Sequence, residues 1–404
     1  MIKSFFDYLK YDIGWLPLLF AAIVSCKTLG FHFFPADTAS YGVFIIVTCM
    51  VLRHKMELNP LCVLFLFYIP VALFLADPAP VFKSWLRYGL FALVYIAVSP
   101  LVVNEYAQEL RMRLFKGVLI CCIAISAISF ICYFLGINMM RNTYTGAVML
   151  DYQTNTAGTF GGITSQSMLL GPISGVAAIV CTYLAMNRNK IFWVLVVMCG
   201  GSVLFAASRS SLIATLIGEI VLFYFSTENI GRNMKRIILA ILFLLVSNPL
   251  WNGALEGIMA KNKGSIYEGI NTDSRTSKWN MRIEEWKDSP LYGIGFCTVS
   301  DRDNIGLNGM IEPGSSWLAV LSMTGTVGFL LFGFIFYKAA RNALDFRTPE
   351  GALSGGILMM LGAHMLAEGY VFSGGSFLCF LVWLSIGCAS DYTCISDDIS
   401  DDEP

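Results

Sequence analysis

Arg209 sits in Ala206-Ala-Ser-Arg-Ser-Ser-Leu212, a polar turn between two short apolar stretches. Ser210 or Ser211 can cap the helix that follows, and the first amides of a helix, with its dipole, favour an anion. A guanidinium fork matches phosphate oxygens two at a time, so an arginine beside such a helix start is suited to hold a phosphate. The same residue also reads as an interfacial arginine snorkelling to water. Arg275 opens Arg275-Thr-Ser-Lys-Trp279, either as a functional cation or as solvated surface among Lys261, Lys263, Lys278 and Arg282. Lys83 and Arg87 lie four apart on one helical face, where they attract an anionic lipid headgroup or simply anchor a helix at the interface.

Two carboxylates stand near expected helix ends. Glu312 lies in Glu312-Pro-Gly-Ser-Ser-Trp317, and Glu368 closes His364-Met-Leu-Ala-Glu368. Either is a candidate general base if partial burial raises its pKa, or else a structural hydrogen-bond acceptor. The histidines His32, His54 and His364 are scattered without a metal-ligand spacing. Neither a Gly-x-Ser-x-Gly elbow nor a Gly-Lys phosphate loop occurs, so no cofactor is implied.

These residues need elements to position them, and the composition says what kind. Of 404 residues 56% are hydrophobic and 14% charged, well short of the roughly 25% charged residues of a soluble domain. The fold class expected is all-α, a polytopic membrane protein of about twelve transmembrane helices. The span centres fall near Leu19, Ile46, Tyr68, Leu93, Ile123, Ile173, Val197, Ile217, Ile241, Phe329, Met359 and Leu381. One transmembrane domain covers 1–390 and includes a long polar loop over 252–315, between helices 9 and 10. With both termini cytoplasmic, fifteen Lys and Arg fall inside, including Arg111 and Arg113. Lys27, Lys83, Arg87, Arg141 and Arg209 fall in short outward segments, and the other seven cations lie in the long loop. The positive-inside rule therefore turns the long loop outward.

The net charge of −1 gives no reason to expect nucleic acid. Most of the twelve cysteines lie in apolar spans and Cys297 is alone in the long loop, so no disulfide framework is implied. Ile23-Val-Ser-Cys26 fits a lipoprotein box by letter, but Asp7 and Asp12 before it favour a retained first helix. The stretch 391–404 reads as an acidic, disordered and dispensable tail. A second outward loop, Gly136 to Thr164, is rich in Thr, Gly and Asn and reads as flexible rather than packed. Within the long loop, Trp279, Ile283 and Trp286 at three- and four-residue spacing predict a helix from Arg275 to Trp286. Arg275, Lys278, Arg282 and Glu285 recur on its other faces, Ser289-Pro290 ends it, and Gly293 and Gly295 make a turn.

In order, these pieces resemble the O-antigen ligase and polymerase superfamily of bacterial membrane glycosyltransferases. Ser208-Arg-Ser-Ser-Leu212 is similar to that family's arginine turn. Arg275-Thr-Ser-Lys-Trp279 followed by Pro290-Leu-Tyr-Gly-Ile-Gly295 is similar to its arginine, aromatic and Pro-x-x-Gly-x-Gly series. Ser316 to Gly328 resembles the helix that opens its C-terminal bundle. The resemblance covers mainly Gly200 to Ser390. Ligases of the family place a histidine eleven residues before the first glycine of a Gly-x-x-Gly pair; here that position is Gly314, followed by Ser315.

The resemblance implies transfer of an undecaprenyl-diphosphate-linked oligosaccharide at the periplasmic face of the bacterial inner membrane. Donor and acceptor would both be lipid-linked, membrane lipid would surround them, and a chain-length regulator is a further partner. Arg209 and Arg275, with Lys83 and Arg87, would bind the diphosphate without a metal, and Glu312 or Glu368 would act as base. The missing histidine favours polymerase over ligation to lipid A core. A transporter or lipid flippase, and a non-catalytic partner in polysaccharide export, are the rival readings; transporters tend to place their charges at the membrane midplane.

Overall fold

The computed structural model describes residues 12–31, 34–76, 83–141, 148–150, 160–226, 274–300, 314–345 and 348–392. Twelve helices lie among them. The first five are α1 (Trp15–Cys26), α2 (Ala36–Leu52), α3 (Pro60–Leu75), α4 (Ser84–Val98) and α5 (Glu105–Phe134). Next come α6 (Ser167–Asn187), α7 (Phe192–Phe205), α8 (Arg209–Phe225) and α9 (Ser274–Asp288). The last are α10 (Ser316–Asp345), α11 (Pro349–His364) and α12 (Phe377–Ser390). Every expected span centre falls inside a helix except Ile241, which lies outside the described residues.

Three helices, α5, α6 and α10, are long and apolar enough to cross a membrane. Six more are apolar but run only 10–17 residues, and 15 residues of helix span about 22 Å against a hydrocarbon core of about 30 Å. Phe67, Phe74, Val194, Ile213 and Phe334 point outward, an exterior suited to lipid.

The segment expected as a second outward loop is packed at its ends. Met139–Arg141 (β1) pairs antiparallel with Val148–Leu150 (β2). The Gly30 and Met139 amides donate to the carbonyls of Ile163 and Gly162, and the Ser165 amide to that of Thr28. Gly161, Gly162 and Thr164 are buried. Backbone pairing, which composition does not register, holds this segment.

The chain divides into two compact units. Unit 1 comprises Met1–Ser40, Arg113–Asn271 and Ala343–His364; unit 2 comprises Tyr41–Met112, Thr272–Asn342 and Met365–Pro404. In unit 1, α6, α8 and α11 pack on one another and α7 packs on α6. Small residues make this approach possible, as is usual where lipid supplies no hydrophobic drive between helices. A Cβ on Gly171 would fall 2.5 Å from Ser211 Oγ, and one on Gly175 would meet Thr215 Oγ1 and Met360. Midway along α8, the half-buried Glu219 accepts a hydrogen bond of 2.9 Å from Thr182.

In unit 2, Trp383 of α12 is ringed by Phe65, Phe91, Tyr95 and Phe332, with centroids 4.7–6.0 Å away. Arg111 grips Asp391 bidentately at 2.8 and 2.9 Å and donates to the carbonyls of Ser99 and Val102. Both members of that pair are buried. The folded part of the chain thus runs through Asp391, into the stretch expected to be tail.

The helix expected from Arg275 to Trp286 is present as α9, but its most buried face is the charged one. Arg282 and Glu285 are fully buried, whereas Trp279 is exposed and Ile283 and Trp286 are half-buried. Arg282 Nη1 donates to Glu285 Oε2 at 2.8 Å, to the Thr298 carbonyl and to Ser322 Oγ. Glu285 Oε1 accepts from the Ser300 amide and hydroxyl. The pair ties α9 to the turn that follows it, and apolar periodicity alone does not reveal that role.

α10 is interrupted. Gly325 adopts φ 65°, ψ −172°, which is not helical. Its break frees backbone groups that the turn after α9 takes up. Ile294 N–H donates to Ser322 O, Gly295 N–H to Met323 O, and Thr326 N–H to Pro290 O, all at 2.8–3.2 Å. Tyr68 of α3 donates to the carbonyls of Leu291 and Thr324. Non-helical backbone at membrane depth is tolerated only where protein satisfies it, and here the Pro290–Gly295 turn does so.

Candidate functional site

The Arg209 turn is built by strain and capping. Ala207 takes φ 48°, a left-handed conformation that costs a non-glycine residue about 1–3 kcal/mol, and it ends the passage out of α7. Ser208, rather than Ser210 or Ser211, is the N-cap of α8, its Oγ accepting from the Ser211 amide. Arg209 is then the first residue of α8 and is exposed. Phe205 stacks on Tyr133 with centroids 3.5 Å apart and packs near Phe130 and Phe160, giving the turn an aromatic floor. Ser211 Oγ lies 3.1 Å from Nε2 of His364, the last residue of α11.

Unit 2 brings together other residues. Lys83 is not in the helix but caps it, exposed, with φ 47°. Arg87, one turn on, is half-buried and lies close to the Cys297 thiol. With Cys297, Ala319, Met323 and the segment from Gly369 to Ser373 it lines a small cavity. Burial pushes the Cys297 thiol up to about 12, against the pull of Arg87 and Arg282. Burial also lowers the Arg282 pKa, with Glu285 opposing.

The half-buried Glu368 belongs to the same loop. Its carbonyl accepts from the Ser316 amide and hydroxyl, and Ser316 Oγ accepts in turn from the Tyr370 amide. Tyr370 is held well above its usual pKa by burial, with the Glu368 charge adding. The structure thus places Arg87 and Glu368 around one loop. Arg275 lies in the first turn of α9, its side chain outside the described residues, and Glu312 lies outside them altogether.

Gly314, which stands where ligases carry a histidine, has φ 71°, and a Cβ there would fall 2.9 Å from Lys278 Cβ. Its carbonyl accepts from Trp279 Nε1. A side chain at this position would be strained and crowded, so the departure is structural as well as chemical.

His364, Ser208, Cys297 and Arg282 were not singled out as site residues from sequence. No linear spacing joins His364 to Ser211, 153 residues away. A hint existed in the small-residue rows Gly171/Gly175 and Ser211/Thr215, each at helical i, i+4 spacing.

The family described as O-antigen ligase matches residues 193–333. That stretch spans α7, α8, α9, the turn after α9 and most of α10, and it bears out the resemblance to the O-antigen ligase and polymerase superfamily. Arg209, Arg275 and Glu312 fall inside it; Lys83, Arg87, His364 and Glu368 fall outside. No curated protein matches the chain.

Proposed function

We propose that this chain is a bacterial inner-membrane glycosyltransferase that polymerises undecaprenyl-diphosphate-linked repeat units at the periplasmic face. The observation that carries the reading is Arg209, exposed at the first residue of a capped helix within the family-matched stretch. The first amides of α8 and the guanidinium offer positive charge where a diphosphate leaves, and stabilising that developing charge is a large part of such catalysis. Arg275, Lys83 and Arg87 belong to unit 2 and form a separate set of candidate anion-binding cations. The acceptor sugar hydroxyl attacks C1 from the face opposite the diphosphate, inverting the anomeric centre. The donor's own phosphate-linked sugar supplies the energy, so no nucleotide is consumed.

A second reading, ligation of the glycan to lipid A core, is favoured by the description of the matched family. Gly314 speaks against it, because its left-handed backbone and contact with Lys278 leave no room for the ligase histidine.

Complementation tests both. Arg209→Ala and Arg275→Ala, each checked for insertion, are expressed in a strain lacking the gene, and surface glycan is resolved by length. Loss of long chains with single repeats still attached is the expected result. Loss of all attachment with long lipid-linked polymer accumulating would make the protein a ligase. Wild-type ladders from both variants would sink the arginine site and reopen the transporter reading.

A further inference from the structure

A chain of hydroxyls runs from the Arg209 turn into the interior of unit 1. Ser208 Oγ lies 3.2 Å from Ser210 Oγ and 2.8 Å from Ser211 Oγ. Ser211 Oγ lies 3.1 Å from His364 Nε2. Burial deepens along the chain: Arg209 is exposed, Ser208 and Ser210 are half-buried, and Ser211 and His364 are buried. Gly171 leaves just enough space for the Ser211 hydroxyl, since a Cβ there would overlap it.

Each link is competent to pass a proton. A serine hydroxyl both donates and accepts, and a neutral imidazole accepts at Nε2 when its other nitrogen holds the hydrogen. His364 also closes α11, and the negative end of a helix dipole favours an imidazolium. The elements packed on α11 are α8 and α6. α8 contributes the charged groups Arg209 and Glu219, and α6 has no charged residue but carries Cys181 and Tyr183. α11 itself bears Glu350 at its far end, and Glu368 follows it in sequence.

We propose that His364 is the proton sink for glycosyl transfer at the Arg209 turn, reached through Ser211 and Ser208. This rests on the reading of that turn as the place where a polyprenyl diphosphate leaves. The acceptor oxygen forms its bond to donor C1 while the C1–O bond to phosphate breaks, and that electron pair departs with the diphosphate beside Arg209. The acceptor proton passes to Ser208 Oγ, the Ser208 proton to Ser211 Oγ, and the Ser211 proton to His364 Nε2. Imidazolium, glycosidic bond and free lipid diphosphate are the products, and the imidazolium returns its proton to water after release. His364 touches no substrate and is a positioning residue of the relay. The base is then an imidazole rather than Glu312 or Glu368.

The test uses purified full-length protein in detergent with a synthetic polyprenyl-diphosphate-linked oligosaccharide. His364→Gln keeps a hydrogen-bond partner for Ser211 but takes no proton. We expect kcat to fall about 10²–10⁴-fold, the range of general-base catalysis, with donor KM kept and the acidic limb of the kcat–pH profile lost. Ser208→Gly, which removes the hydroxyl at little capping cost, falls alike, whereas Ser208→Thr retains most of the rate. These two serine variants keep the question open to refutation if His364→Gln does not fold. An unchanged acidic limb, a parallel change in kcat and KM, or Ser208→Gly at full rate would overturn the relay. If instead wild-type protein transfers nothing, or Arg209→Ala is fully active, the site reading itself fails, and the relay with it.

Discussion

The Arg209 turn in one unit and the Pro290–Gly295 turn in the other are both short connections beside helix ends, yet they are held by different parts of the chain. Side chains hold the first: Ser208, Ser211 and His364 are joined through oxygen and nitrogen atoms beyond Cβ. Backbone holds the second: the amides of Ile294 and Gly295 and the carbonyl of Pro290 satisfy groups that α10 releases at Gly325. A side-chain lattice can lose a hydroxyl while the helix behind it keeps its own hydrogen bonds. A backbone lattice cannot admit a single Cβ. Damage to the first turn should therefore read out in chemistry, and damage to the second in folding.

The strongest way to break this contrast is Gly325→Ala. The new Cβ would collide with the backbone of Leu291 and Tyr292 at φ 65°, so neither a rotamer change nor a small shift relieves it. Left-handed strain and overpacking together cost roughly 2–6 kcal/mol, a large share of a marginal protein's stability. Folded yield and thermal unfolding in detergent measure it. A well-folded Gly325→Ala variant would mean that the turn is not held by backbone.

Next in size is the buried ion pair of α9. Glu285→Ala leaves Arg282 as an uncompensated buried charge, with Nε and Nη2 already lacking hydrogen-bond partners among the described residues. Removing one partner of such a pair costs about 3–5 kcal/mol. Replacing both by Met should recover most of that loss, so unfolding of Arg282→Met, Glu285→Met and the double variant forms a cycle. Additive losses would show that the two residues act separately. They would then not form the side-chain bolt that fixes α9 to the backbone-held turn.

The same contrast explains what was legible in the sequence. Long apolar runs announced the helices, because spanning or burying one needs little more than apolar length, and Trp279, Ile283 and Trp286 announced α9 by period. The period did not tell which face of α9 is buried: ion pairing between Arg282 and Glu285 overrode hydrophobicity. Gly325 carried no signal of a helix break, since a glycine in an apolar run reads equally as a packing residue. At the candidate site, Arg209 was legible as a candidate because its type and its helix start suffice to suggest anion binding. His364 was not, because its meaning lies in a contact with Ser211 that only the packing of α8 on α11 creates. Gly314 was legible only as an absence; the φ of 71° and the nearby Lys278 Cβ give that absence a cause.

The smallest expected effect concerns Cys297, the side chain set directly after the backbone-held turn. Its thiol is raised from 9.0 to about 12 by burial, so the folded state keeps a proton that the unfolded chain releases. The stability this contributes is fully present below about pH 9 and is lost as pH rises towards 12. At pH 10 the loss is about 1.4 kcal/mol, of which about 1 kcal/mol falls between pH 9 and 10. Cys297→Ser keeps a hydrogen-bonding group beside Arg87 but does not titrate in this range. Unfolding at pH 7, 9 and 10 should therefore show the wild type losing about 1 kcal/mol more than the serine variant between pH 9 and 10. Tyr370, also raised by burial, weakens both proteins equally and cancels in the difference. Parallel alkaline losses would mean that Cys297 is solvated in solution. The Pro290–Gly295 turn would then not hold its neighbour closed against α10, and the distinction between the two turns would narrow to the Arg209 side alone.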